Sequence, residues 1–161
     1  MKVAIHRNYM HALRKFDTES AIERSLEFSD VAIISDDFGR DSPALGDMKG
    51  LMLRGFKVHP VSDKLAGKNV KANGMEIFES VADLDDEVQI VVVNTKSELI
   101  HDVLADLSLR TELWADIRTV WLEPGVEVDE KVLSDIHDFG WMLVQGRCIL
   151  AEVMERNISH D

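Results

Sequence analysis

Cysteine is almost missing from this sequence. Cys148 is the only one in 161 residues, which excludes an internal disulfide framework and fits a reducing compartment. No run approaches the roughly 18 consecutive apolar residues of a membrane-spanning helix, and the first residues lack the apolar stretch of a secretory signal. The cytoplasm is therefore the expected location. Basic residues are few, 18 against 30 acids, for a formal net charge of -12. Nucleic acids and anionic lipids are held by Lys and Arg that neutralise phosphates, so neither is an expected partner of so acidic a chain. Four of the bases, Lys2, Arg7, Arg14 and Lys15, stand in the first 16 residues, where there is no acid. Residues 1–17 read as a basic arm, expected as a solvated or loosely docked tail with the alternative that it lies on an acidic surface of its own or a neighbouring subunit, and 18–161 as one domain; a homodimer is expected.

Chemical motifs are as scarce as thiols. The six histidines are scattered, none at the i, i+4 spacing of a helical zinc site, and no P-loop, nucleophile elbow or Ser/His/Asp set is present. No catalytic residue and no metal ligand is assigned, and catalysis is not expected. The acids of Ser35-Asp36-Asp37 suit magnesium by type, but they read as a solvated loop. Trp114 and Trp121 read as core or interface residues.

The sequence does contain a core, with 45% hydrophobic residues, and a regular alternation of short apolar runs with amphipathic segments. Residues 18–28 suit a short helix. Val31 to Ile34 is a strand, and Ser42-Pro43 marks the start of a helix that carries Leu45, Met48, Leu51 and Met52 and breaks at Gly55. Phe56 to Val61 is a second strand, Met75 to Phe78 a minor one, and Val81 to Asp86 a turn. Val88 to Val93 is β-branched but for Gln89, as in a parallel strand covered on both faces. Ser97 or Thr95 then caps a helix that runs through Leu107. Ile117 to Leu122 and Gly140 to Val144 are further strands, and Asp129 to His137 and Ile149 to Arg156 are helices. The expected fold is α/β, a three-layer arrangement with a parallel sheet of about five strands and helices on both faces. Ligands of such sheets sit at the carboxyl ends of the strands. That surface comprises Ser35 to Ser42, Pro60 to Lys64, Asn94 to Ser97, Glu123 to Val126 and Gln145 to Cys148.

Four motifs, in order, are similar to those of the small stand-alone CoA-binding proteins, relatives of the CoA-binding domain of succinyl-CoA synthetase. They are "FKVHPVSDKLAG" (56–67), "VADLDDEVQIVVVNTKSE" (81–98), "VWLEPGV" (120–126) and "GRCI" (146–149). The resemblance spans about residues 20–155 and implies a Rossmann-like fold with an adenine nucleotide across the strand ends. It implies ligand contacts from Ser35, Asp36, Asp37, Phe38, Arg40, Ser42 and Pro43 in the first loop. Pro60 and Val61 follow from the second strand end, Asn94, Thr95 and Lys96 from the third. Glu123, Gly125, Val126 and Cys148 complete the set. The expected function is non-enzymatic binding of CoA, an acyl-CoA or a related adenine nucleotide. The alternatives are a protein-interaction module that keeps this fold, or an accessory subunit of a CoA-ligase-type enzyme.

The departures from the family pattern all concern charge and glycine. Ser35 stands at the loop glycine and Asp37 at a serine. Asp41-Ser42 replace a Ser-Arg pair, Asn94-Thr95 an aromatic-Arg pair, and Glu123 a glutamine. A side chain at the crowded turn and three acids near a helix start oppose a diphosphate there, offset in part by Arg40 and Lys96. Cys148 has two readings: a thiolate favoured by Arg147 and the helix start, or a small packing residue, which is the expectation.

Overall fold

The computed structural model describes residues 19–161. The basic arm, residues 1–17, lies outside the described residues. Helix α1 (Glu19–Ser25) leads into β1 (Asp30–Ser35), followed by α2 (Pro43–Leu53) and β2 (Lys57–Val61). A long excursion with a 3-10 turn (Val81–Asp83) returns to β3 (Ile90–Asn94). A second 3-10 turn (Ser97–Leu99) precedes α3 (Ile100–Leu113), then come β4 (Thr119–Leu122), α4 (Glu130–Asp138), β5 (Met142–Gln145) and α5 (Ile149–Glu155). The five strands form one sheet in the order β2-β1-β3-β4-β5, all parallel. The chain moves outward from β1 to β2 and then returns to the far side of β1, so strand order reverses between β1 and β3. This is the Rossmann-like α/β architecture expected from the alternation of apolar runs.

The β-branched strands are buried on both faces because each face carries helices. Val31, Ile33, Ile90, Val92, Trp121 and Val144 pack under α1, α2 and α5. Their neighbours Ala32, Ile34, Val91, Val93, Val120 and Leu143 pack under α3 and α4. This alternation follows from the two-residue period of a strand. Trp121 is fully buried and its Nε1 donates to the Arg147 carbonyl at 2.7 Å, tying β4 to the start of α5. Trp114, in contrast, is exposed and lies beside the Arg110 guanidinium, 4.2 Å from ring centroid to Cζ.

Local chemistry explains several element ends. Ser42 has extended backbone and its hydroxyl accepts from the Leu45 N–H at 3.2 Å, with Pro43 at the first helical position. Asp129 caps α4 through the Val132 N–H at 2.9 Å. The helix after β3 departs from expectation. Ser97 does not cap it, because its hydroxyl accepts from the Glu127 N–H at 2.8 Å across the sheet end, and Thr95 donates to the adjacent Lys96 carbonyl at 3.3 Å. The chain instead takes a 3-10 turn, and α3 runs to Leu113, beyond the expected Leu107. The minor strand expected at Met75 to Phe78 is reduced to two isolated bridges, Val61 with Phe78 and Asn69 with Glu76. Among the described residues no helix is long and apolar enough to cross a membrane.

Candidate functional site

The reversal of strand order opens a cleft of about 320 Å³ at the carboxyl ends of β1 and β3. Its apolar floor is Ile34, Val61, Leu99 and Val103. Its walls carry five carboxyl groups, from Asp36, Asp63, Glu79, Asp102 and Asp106, and the hydroxyls of Ser80 and Thr95. Of the sequence-predicted site residues, Asp36, Val61 and Thr95 line this cleft. Asp63 belongs to the Pro60 to Lys64 stretch of the expected surface, whereas Glu79, Asp102 and Asp106 come from the excursion and from α3, where no motif marks them.

The wall opposite β1 is held rigidly. Asp106 accepts from the backbone N–H groups of Val81 and Ala82 at 2.7 and 3.0 Å, fixing the first 3-10 turn. Burial pushes its carboxyl above the usual range, opposed by those two hydrogen bonds. Behind it, the fully buried Arg110 donates to the carbonyls of Val81, Leu84 and Asp86 and pairs with Asp116. The excursion that forms the wall is therefore anchored by side chains of α3.

The loop from β1 to α2 has the position of a phosphate-binding loop, but the N–H groups of Asp37, Gly39 and Ser42 are engaged internally. Ser35 Oγ accepts from the Asp37 N–H at 3.2 Å, and the Asp37 carboxylate accepts from the Gly39 N–H at 2.8 Å. The Ser42 N–H donates to the Gly39 carbonyl at 3.0 Å, Ser42 itself takes the Leu45 N–H, and Pro43 has no N–H to offer. The loop's own carboxylate thus occupies a donor that would face an anion. Phe38 turns inward and is buried under α1 and α2, while Arg40 is exposed and Asp41 holds a left-handed φ of 69°.

The other predicted residues separate into two groups. Pro60 is buried within β2, and Asn94 and Lys96 stand at the end of β3, half-buried and exposed. Glu123, Pro124, Gly125 and Val126 form a tight turn closed by the Val126 N–H on the Glu123 carbonyl at 3.2 Å. With proline second and Gly125 third at φ 93°, this is a type II turn, which explains the glycine without a ligand. Glu123 and Cys148, by contrast, meet beneath the sheet end. The Glu123 side chain accepts from the Ile149 N–H at 3.1 Å, and Cys148 Sγ lies 3.6 Å from Oδ1 of Asp47, which projects from α2.

Burial first, and then the facing Asp47 carboxylate, together push the Glu123 carboxyl up to about 9 against the lowering effect of the Ile149 N–H. Glu123 consequently holds a proton at neutral pH. Burial also raises the Cys148 thiol, with the fields of Asp47 and Glu123 adding to it, and outweighs the N–H groups of Ala151 and Leu150. Arg147 does not relieve this: its guanidinium pairs with Glu152 at 3.0 Å. Cys148 is a protonated thiol, not the activated nucleophile its sequence neighbours suggest. Asp47 was not identified from sequence; the available signal was an acid on the same helical face as Ala44, Met48 and Leu51.

Similar structures have the same architecture. A hypothetical protein from Pyrococcus horikoshii is 21% identical, with a TM-score of 0.73 over 86% of this chain and 91% of that one. A Thermus thermophilus protein is 23% identical, with a TM-score of 0.70 over 84% and 96%. A conserved hypothetical protein from Pyrococcus furiosus is 23% identical, with a TM-score of 0.61 over 78% and 99%. These likenesses concern the fold. Residues 31–154, which include every strand but the first residue of β1, match the CoA binding domain, and the chain belongs to that family.

Proposed function

We propose that this protein binds CoA, an acyl-CoA or a related adenine nucleotide, without turning it over, in the cleft between β1 and β3. The observation that carries this reading is the cleft's position at the strand-order reversal of a CoA-binding-domain chain, where ligands of open α/β sheets sit. The lining sorts the parts of such a ligand. An apolar floor with hydroxyls and carboxylates at its rim suits a base and ribose, whose amino and hydroxyl groups donate to carboxylates, or the amides of a pantetheine arm. It does not suit phosphate, and in the β1–α2 loop the N–H groups of Asp37, Gly39 and Ser42 are already taken by the loop itself. The ligand's diphosphate therefore lies outside the cleft, toward the exposed Arg40 and Lys96.

Calorimetric titration with CoA, acetyl-CoA, NAD and ATP tests this, with Leu99→Trp as a variant that fills the cleft. Saturable binding by wild type that Leu99→Trp abolishes supports the proposal. No heat and no competition with any of the four at millimolar concentration overturns it. The internally bonded loop favours the second reading, a fold kept for protein partners. The cytoplasmic setting and the homodimer belong to the same proposal, and light scattering tests the dimer.

A further inference from the structure

A second polar cluster lies apart from the cleft, on the opposite face of the sheet. Asp47 comes from α2, Glu123 from the end of β4 and Cys148 from the residue before α5, and their neighbours Met48 and Ile149 belong to the core under α1, α2 and α5. The cleft's Ile34, Val61 and Val103 belong to the core on the other side. One ligand atom from each of the three residues lies within 4.8 Å of the other two.

Proximity of two acids and a thiol is not by itself a site, but Asp47 adds a specific signal. It is 5% exposed, it sits on the apolar face of a helix, and its Oδ2 has no hydrogen-bond partner among the described residues. With both acids ionised that oxygen would carry the full desolvation cost of a charged acceptor, and in the metal-free protein the proton held by the facing Glu123 offsets it. A cation between the two carboxylates takes the place of that proton. Arg147, the adjacent base in sequence, is committed to Glu152 at 3.0 Å.

One edge of the cluster, a thiol-to-carboxylate hydrogen bond in the metal-free protein, has a length that zinc can bridge. Zinc bound tetrahedrally at about 2.3 Å from sulfur and about 2.0 Å from oxygen has a sulfur-to-oxygen edge of about 3.5 Å. Cys148 Sγ and Asp47 Oδ1 are 3.6 Å apart. The donor set of one sulfur and two carboxylates selects against magnesium and calcium, which take oxygen and water, and for a borderline cation of the zinc type. We propose that Asp47, Glu123 and Cys148 form a three-ligand site for a zinc-type divalent cation, with a fourth position left for water or an external donor. Three protein ligands and one exchangeable position is the arrangement of reactive rather than purely structural zinc sites.

Cobalt(II) is the probe, because a thiolate ligand gives it a near-ultraviolet charge-transfer band and tetrahedral geometry gives it intense visible bands. Full-length protein freed of metal by chelation is titrated anaerobically with cobalt(II), then with zinc(II). The expected result is a charge-transfer band that saturates at one equivalent and is bleached by zinc. Cys148→Ser should abolish the band, and Asp47→Asn should weaken cobalt binding by at least the about 10- to 100-fold typical of losing a supporting residue around a metal. Absence of the charge-transfer band in wild type overturns the proposal whether or not either variant folds. A band that survives Cys148→Ser, or affinity unchanged in a folded Asp47→Asn protein, overturns it equally.

Discussion

Arg110 and Asp116 form a two-point pair at the junction of α3 and β4, with Nε to Oδ1 at 3.1 Å and the second contact at 2.7 Å to Oδ2. Both residues are buried, and the Arg110 guanidinium also serves three carbonyls of the excursion that walls the cleft. Asp116→Ala leaves this guanidinium buried without its counter-charge and the Val88 N–H without its acceptor, and should destabilise the fold by about 3–5 kcal/mol. The midpoint of urea unfolding measures this. A loss within 1 kcal/mol would mean that the carbonyls alone satisfy Arg110.

The same pair sets an acid limit. Burial raises the Asp116 carboxyl, but the Arg110 hydrogen bonds, the Val88 N–H and the Arg110 charge outweigh it, leaving it below the usual range. A lowered carboxyl contributes stability that is present above its unfolded value of about 3.9 and lost as pH falls through the lower folded value. Melting temperature should fall below about pH 4 in wild type, and this limb should be shallower in Asp116→Asn. Superimposable limbs would show that other carboxyls govern acid unfolding.

Repulsion at the loop and cleft should limit any phosphorylated ligand. Asp36 lines the cleft and Asp37 holds the Gly39 N–H, so replacing the pair by Gly-Ser removes two charges and frees a donor. At about 1 kcal/mol for each like-charge contact, CoA affinity should rise by roughly tenfold or more at low salt and by less at high salt. Calorimetry at two salt concentrations checks both statements, and equal affinity would place the phosphates elsewhere.

Where local chemistry decides, the sequence was sufficient. Ser42-Pro43 and Asp129 begin helices because their caps act within three residues, and the β3 run is β-branched because both faces are covered. Where a side chain answers to a distant segment, it was not. Ser97 carries the chemistry of a cap, yet its hydroxyl takes the Glu127 N–H from 30 residues away. Asp47 looks like one polar residue in a helix until the end of β4 and Cys148, 101 residues on, are folded against it. Glu79 in the cleft wall is equally silent in sequence, since the Arg110 anchor that positions its segment joins residues 24 to 29 apart.

Glu123 gives the clearest test of the buried acid cluster. Its carboxyl lies at about 9 because burial and the Asp47 carboxylate both disfavour its charge. In the unfolded chain it ionises near 4.3. A raised group contributes stability that is complete below the unfolded value and declines as pH rises toward the folded one, so ionisable Glu123 costs stability at neutral pH. Glutamine keeps an oxygen for the Ile149 N–H and an N–H₂ for Asp47 while removing the titration, and it is the residue that the family resemblance places here. In metal-free protein held in chelator, Glu123→Gln should therefore stabilise the fold at pH 7–8 by on the order of 2 kcal/mol. The gain should shrink toward pH 4, where wild-type Glu123 is protonated in both states. Thermal melts across that range measure the difference. A variant less stable at pH 8, or a gain independent of pH, would show that Glu123 is ionised in the folded protein and has a counter-charge.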